Sequence, residues 1–185
     1  MVFLLVVASS CGENTRIDWA KKEKHYMLAK YKDKMERPSP PAQTEAKIGN
    51  VKVSLEFSQP SVKGRKIWGD LVKYDKLWRT GANEANVFES SEAILINDNT
   101  VPAGKYSLFT IPSQDKWTVI LNKVYDQWGV YNYVQSEDVL RLEVIPTISE
   151  KLEERMKFDL DSTGNLEFAW EYLRFGLSIK SLPPQ

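Results

Sequence analysis

The stretch VKVSLEFS, Val51 to Ser58, decides the fold class. Val51, Val53, Leu55 and Phe57 alternate with Lys52, Ser54, Glu56 and Ser58. A period of two places the first set on one face of an extended strand and the second on the other. One face is apolar and the other wet, which suits an antiparallel sheet with a single buried side. The runs that follow repeat the pattern: RKIWGDLV (65–72), NVFESSEAILIN (86–97), KYSLFTIP (105–112) and KWTVILNK (116–123). Beyond a long aromatic loop come DVLRLEVIPT (138–147), RMKFDLD (155–161), LEFAWEYL (166–173) and FGLSIKS (175–181).

These runs predict about nine to eleven short strands and require no helix beyond residue 50. SEKLEERMKF (149–158) is open to one helical turn at its start, but its second half alternates and reads as strand. DSTGN, Asp161 to Asn165, has the composition of a tight hairpin turn, and NDNTVPAG (97–104) reads as another turn. So many half-buried strands need a second sheet to cover their apolar faces. The expectation is an all-β, two-sheet β-sandwich of immunoglobulin-like or jelly-roll type over residues 46–185, with a closed barrel as the alternative.

Residues 1–45 read differently. The chain opens MVFLLVVASSCGEN, an apolar run ending in small residues directly before Cys11. This is similar to a bacterial lipoprotein signal, with residues 1–10 as a signal peptide read as truncated at its basic start, and Cys11 as the lipidated residue. The apolar run is too short to span a bilayer, so the membrane partner is reached through acyl chains. Residues 11–45 are dense in charge and end in Pro38, Pro40 and Pro41. They read as a tether, either with a short amphipathic helix from about Asp18 to Met35 or as solvated chain. The expected location is the cell envelope, lipid-anchored on the periplasmic or outer face.

Composition narrows the chemistry. The 25 basic and 25 acidic side chains cancel, which leaves no net field to draw the chain to nucleic acid. One Cys and one His are present, too few for a zinc site, a Cys–His or Ser–His pair, or a disulfide framework. No metal site and no cofactor is expected.

Two polar-aromatic segments carry the candidate sites. WRTGANEAN, Trp78 to Asn86, offers Trp78 for stacking, Arg79 for a carboxylate or phosphate, and Thr80, Asn83 and Glu84 for hydrogen bonds. The competing structural reading pairs Arg79 with Glu84, gives Gly81 a positive φ, closes an Asx-turn at Asn83 and plugs the sandwich with Trp78. NKVYDQWGVYNYVQSED (122–138) holds Trp128 and Tyr131 among carboxamides and carboxylates. That is the composition of a carbohydrate platform, or of an irregular loop packed over a sheet edge. VPAGKYSLF (101–109) reads as ordinary hairpin chemistry.

The leading expectation is a non-enzymatic envelope lipoprotein domain that binds a ligand, a glycan or an envelope protein, through loops at one end of the sandwich. The ligand set is Trp78, Arg79, Asn83, Glu84, Trp128 and Tyr131. One alternative is a hydrolase with Glu84 as acid or base beside Asp70, Asp75 or Asp126. Another is a structural subunit of an envelope assembly, marked by a large exposed apolar patch.

KGRKIWGDLVKYDKLWRTGANEAN, VPAGKYSLFTIP, WTVILNK and QWGVYNY together resemble the family known as domain of unknown function 2911. The resemblance runs from about residue 46 to 181. It implies a β-rich, secreted or lipid-anchored domain found mainly in Bacteroidetes, and it carries no assigned catalytic residue.

Overall fold

The computed structural model describes residues 34–182. The signal-like start, Cys11 and nearly all of the Asp18–Met35 segment lie outside the described residues; Lys34–Glu36 form a single 3-10 turn. Residues 38–185 form one compact unit.

This unit is a β-sandwich. Its ten strand segments are β1 (Pro41–Ile48), β2 (Val51–Ser58), β3 (Asn86–Ser90), β4 (Ile94–Ile96), β5 (Asn99–Val101), β6 (Gly104–Ile111), β7 (Trp117–Asn122), β8 (Asp138–Val144), β9 (Thr147–Leu160) and β10 (Asn165–Ser181). A larger sheet has the order β1-β2-β3-β6-β7-β8 and a smaller one the order β5-β4-β10-β9. Every strand pairing is antiparallel, and the larger sheet ends in β1 and β8 without closing into a barrel.

The alternation in β2 is realised: Val53 and Leu55 are fully buried, while Lys52 and Glu56 face water. Cross-strand partners continue the apolar face, Leu55 beside Phe88 and Phe88 beside Tyr106. Burying such side chains contributes on the order of 1.5–3 kcal/mol each, so the inward faces of the two sheets dominate the stability. The centre of the core is aromatic. Trp78 stacks on Trp170 with ring centroids 5.8 Å apart, and Trp68 meets Trp117 edge to face at 4.9 Å.

The sequence expectations need three corrections. β1 starts at Pro41 and pairs with β2 along its whole length, so residues 41–45, read with the tether, are sheet; the polar edge strand of a sheet looks like linker by composition. RKIWGDLV is no strand but a compact turn, closed by Val72 N–H to Ile67 O at 2.9 Å and by Gly69 at φ 81°. NVFESSEAILIN and NDNTVPAG each hold parts of more than one element, because β3 and β6 belong to the larger sheet while β4 and β5, between them, join the smaller one. SEKLEERMKF is strand as read, inside β9, and its start is strand as well.

β10 is not one straight ribbon. A straight strand of its 17 residues would be roughly 55 Å long. Yet the N–H of Ile179, near its end, donates to the carbonyl of Gly164, just before its start, at 2.7 Å. Phe168 stacks on Phe175 at 4.8 Å, and Glu171 takes φ 52°. The chain therefore doubles back near Glu171, and the two runs LEFAWEYL and FGLSIKS are the two arms. The DSTGN hairpin forms as the sequence implies, with Gly164 at φ 85° and Asp161 N–H to Asn165 O at 3.1 Å.

The larger sheet is covered on its second side as well. In β6, Tyr106 and Leu108 point inward while Phe109 points outward into a satellite cluster with Ala85 and Ile120. Leu77, Ile111, Val130 and Tyr133 pack against that cluster. Both faces of β6 are thus dry.

Candidate functional site

The two polar-aromatic segments meet on the outer side of the larger sheet. Glu84 and Trp128 form an antiparallel bridge. Ala85 N–H donates to Gln127 O at 2.9 Å and Gly129 N–H to Asn83 O at 3.1 Å. These bonds make a short two-stranded ladder out of chain that composition alone reads as two separate loops.

Alternation carries on through WRTGANEAN and sorts its side chains. Trp78 exchanges both backbone bonds with Thr110, at 2.8 and 2.9 Å, extending the β6 ladder past the end of β3. Its indole turns into the main core and donates to Gly81 O at 3.2 Å. Thr80 also faces inward, fully buried, with its hydroxyl 3.0 Å from that of Thr110. Leu77 faces outward into the satellite cluster. Arg79 falls on that outer side too, close to Tyr131, Glu84 and Gly129.

The backbone here is strained where no glycine relieves it. Thr80 has φ 54° and Asn83 φ 61°; for a β-branched threonine this is a costly region, on the order of 1–3 kcal/mol. Gly81, expected to take the positive φ, does not take it. It is small because space is short: a Cβ there would stand 2.9 Å from Asn86 Oδ1 and 3.2 Å from the carbonyl of Ser58. Asn83 closes no Asx-turn; its amide donates to Ser39 O at 3.0 Å. Asn86, fully buried, donates to Thr80 O at 2.8 Å.

Arg79 is the electrostatic centre of the patch. Burial lowers the proton affinity of its guanidinium below that of an ordinary arginine, and the charges of Tyr131 and, more weakly, Glu84 act the other way. Its Nε is buried without a hydrogen-bond partner. A buried N–H in that condition costs about 1–3 kcal/mol.

The second segment is held to the sheet by polar pins that sequence reasoning missed. Asn122, fully buried at the end of β7, donates to Val134 O at 2.8 Å and to Asp138 Oδ1 at 2.7 Å. Its own oxygen accepts from Val124 N–H at 2.9 Å. Gln127, also buried, accepts from Asn132 N–H at 3.1 Å. Tyr133 donates to Asp138 Oδ2 at 2.7 Å, and Arg141 Nη1 donates to the same oxygen at 2.7 Å. Burial and that hydrogen bond push the Tyr133 phenol up to about 12. The available signal was carboxamides at a strand end, which suit a site and a pin equally well.

The structure therefore divides the six expected ligand residues. Arg79, Glu84, Trp128 and Tyr131 come together, with Tyr131 exposed and Trp128 half-buried. The side chains of Trp78 and Asn83 are engaged by the core and by Ser39. Of the carboxylates considered with Glu84, Asp70 is exposed and 3.6 Å from Lys73, and Asp75 and Asp126 are exposed. Among the described residues there is no group of three or more His, Cys, Asp or Glu placed to hold a metal ion, and no helix long and apolar enough to cross a membrane.

A family model described as a protein of unknown function (DUF2911) matches residues 39–179. No curated protein and no solved structure matches the chain.

Proposed function

Because the chain belongs to the DUF2911 family, whose description assigns no activity, we propose a function from its own residues: a ligand-binding domain of the cell envelope. The binding surface is the junction of the two ladder-linked segments, with Arg79, Glu84, Trp128 and Tyr131 as its contact residues. The observation that carries this reading is the Glu84–Trp128 bridge. It joins the segment that carries Arg79 and Glu84 to the segment that carries Trp128 and Tyr131, an arrangement held before any ligand arrives, which lowers the entropy cost of binding. The aromatic faces suit the apolar side of a sugar ring, and the charged groups suit its polar substituents.

Equilibrium binding of the 38–185 unit to a glycan and envelope-protein panel tests the site. We expect a ligand whose affinity drops about tenfold or more on Arg79→Ala and on Trp128→Ala. A ligand that binds both variants as well as wild type removes this patch from the function.

The envelope location rests on the lipobox-like residues Ala8 to Cys11. Expressed in a bacterium with a complete secretion signal, the protein is expected to partition with membranes and to carry acyl mass on Cys11. A Cys11→Ala variant that stays acylated and membrane-bound overturns the lipoprotein assignment.

A further inference from the structure

One end of the sandwich carries an exposed apolar tip. β6 and β8 end there, β7 and β9 begin there, and β10 doubles back beside them. In and just after the β8–β9 connection, Ile145 is 78% exposed and Ile148 87%. Ile148 is in register with Leu173, which places exposed Tyr172 next to it. Arg174 Nη2 donates to Lys151 O at 2.8 Å and holds exposed Leu152 at the same corner. A single exposed apolar side chain is ordinary, but a group at one corner marks a surface that meets a partner.

Two further features of this end identify that partner. The chain enters the domain here: Pro41, the first residue of β1, lies opposite Ser58, and Gln59 N–H donates to Pro40 O at 2.9 Å. The Gln59 amide donates to Met156 O at 3.1 Å, and β9 followed backward from Met156 leads to Ile148. The end nearest any anchor upstream of Pro38 is therefore the end with the apolar tip. The second feature is charge. The crossover from β2 to β3 caps this end, tied to β9 by Val62 N–H to Glu154 O and to β6 by Asp75 N–H to Pro112 O, both at 2.8 Å. It carries Lys63, Arg65, Lys66, Lys73 and Lys76, all exposed, against Asp70 and Asp75. Of the acids facing it from β9, Glu154 accepts from Lys63 N–H at 2.9 Å, Glu153 pairs with Lys157 at 3.3 Å, and Glu150 stands beside Lys151.

Resting on the envelope anchor proposed above, we propose that this end is a membrane-contact surface. Ile145, Ile148, Leu152 and Tyr172 enter the headgroup boundary of an anionic bilayer, and the basic crossover lies on its charged surface. Aliphatic side chains leave water at that boundary, and a tyrosine sits there with its ring in and its hydroxyl out. Lysine and arginine heads meet anionic lipid while their stems cover apolar surface.

The test asks which end of the domain touches lipid. Residues 12–185, which hold no cysteine, are tethered by an N-terminal His tag to nickel-chelating lipid in phosphatidylcholine vesicles containing phosphatidylglycerol. The result then does not depend on acylation of Cys11. A polarity-sensitive bimane is attached at Ile148→Cys or at Ser162→Cys, the latter in the DSTGN turn at the opposite end, beside Ile48 and Ile179. The label at 148 is expected to shift to the blue and to be quenched by nitroxide-bearing lipid, and the label at 162 to do neither. Without the nickel lipid, partition onto the same vesicles is expected to fall about tenfold in the double variant Ile145→Asp, Ile148→Asp. Both side chains project into solvent, so the variant keeps the urea midpoint of wild type. A label at 148 that stays in water, or one at 162 quenched as strongly, overturns the contact surface. So does a blue shift at 148 that needs no vesicles and accompanies dimerisation, which assigns the tip to a second copy. Absence of acyl mass on Cys11 overturns the anchor alone, and lipid entry of the label at 148 upholds the contact surface by itself.

Discussion

Gly129 lies against Arg79, with φ 61° in its own backbone and the guanidinium 3.8 Å from where a Cβ would sit. That separation is ordinary van der Waals contact, so alanine fits the space and meets resistance only from the backbone. Gly129→Ala is expected to cost about 1–2 kcal/mol through the left-handed conformation and to lower the melting temperature by roughly 2–8 °C. Ligand affinity should fall far less than in Arg79→Met. Calorimetric melting and titration on the same preparation check both parts.

Arg79 itself is expected to be unfavourable, or at best neutral, for the empty fold. Arg79→Met removes a desolvated charge and an unpartnered Nε while keeping an unbranched apolar side chain of similar length. Urea denaturation should place the variant within about 1 kcal/mol of wild type or above it. A loss of several kcal/mol would make Arg79 a structural residue that holds the two segments together.

The Gly164 position tests the fold-back of β10. A Cβ there would overlap the carbonyl oxygen of Ile179, and φ is 85°. The obstacle is backbone on both counts, so no side chain can yield. Gly164→Ala is expected to destabilise by more than about 2 kcal/mol in urea denaturation. A straight β10 would bring Ile179 nowhere near the turn, and the substitution would then cost only what the φ angle costs.

Tyr133 links stability to alkaline pH. Its folded phenol is pushed up to about 12, first by burial and then by its bond to Asp138. An ordinary tyrosine titrates near 10. Between those values the folded state holds a proton that the unfolded chain has released. The contribution is therefore complete below about pH 10 and is lost as pH rises toward 12. Tyr133→Phe should flatten that part of the stability–pH curve, and the tyrosinate absorbance of wild type should show one late-titrating phenol that the variant lacks. Unchanged curves would put Tyr133 in ordinary contact with solvent.

Much of the fold was legible because its signal is local. VKVSLEFS alternates, DSTGN has hairpin chemistry, and each forms as read. The misreadings occur where one residue pattern serves two physical situations. RKIWGDLV has strand-like composition, but Gly69 lets it close on itself. Residues 41–45 look like tether because an edge strand is polar on its open side. KYSLFTIP reads as a strand with one wet face, yet Phe109 enters a second cluster on the face a simple sandwich leaves wet.

For the site, the sequence by itself determined the inventory: a guanidinium, a carboxylate and an aromatic run, with no Cys–His chemistry available to them. The division of WRTGANEAN into inward Trp78 and Thr80 and outward Leu77 and Arg79 was decided by the bonds between Trp78 and Thr110. The meeting of Arg79 with Tyr131, and the bridge from Glu84 to Trp128, were decided by the order of strands in the larger sheet. Periodicity is set by the geometry of one residue after another, so it is written along the chain. Which two loops face each other depends on pairings between distant segments, and no stretch of sequence holds that information alone.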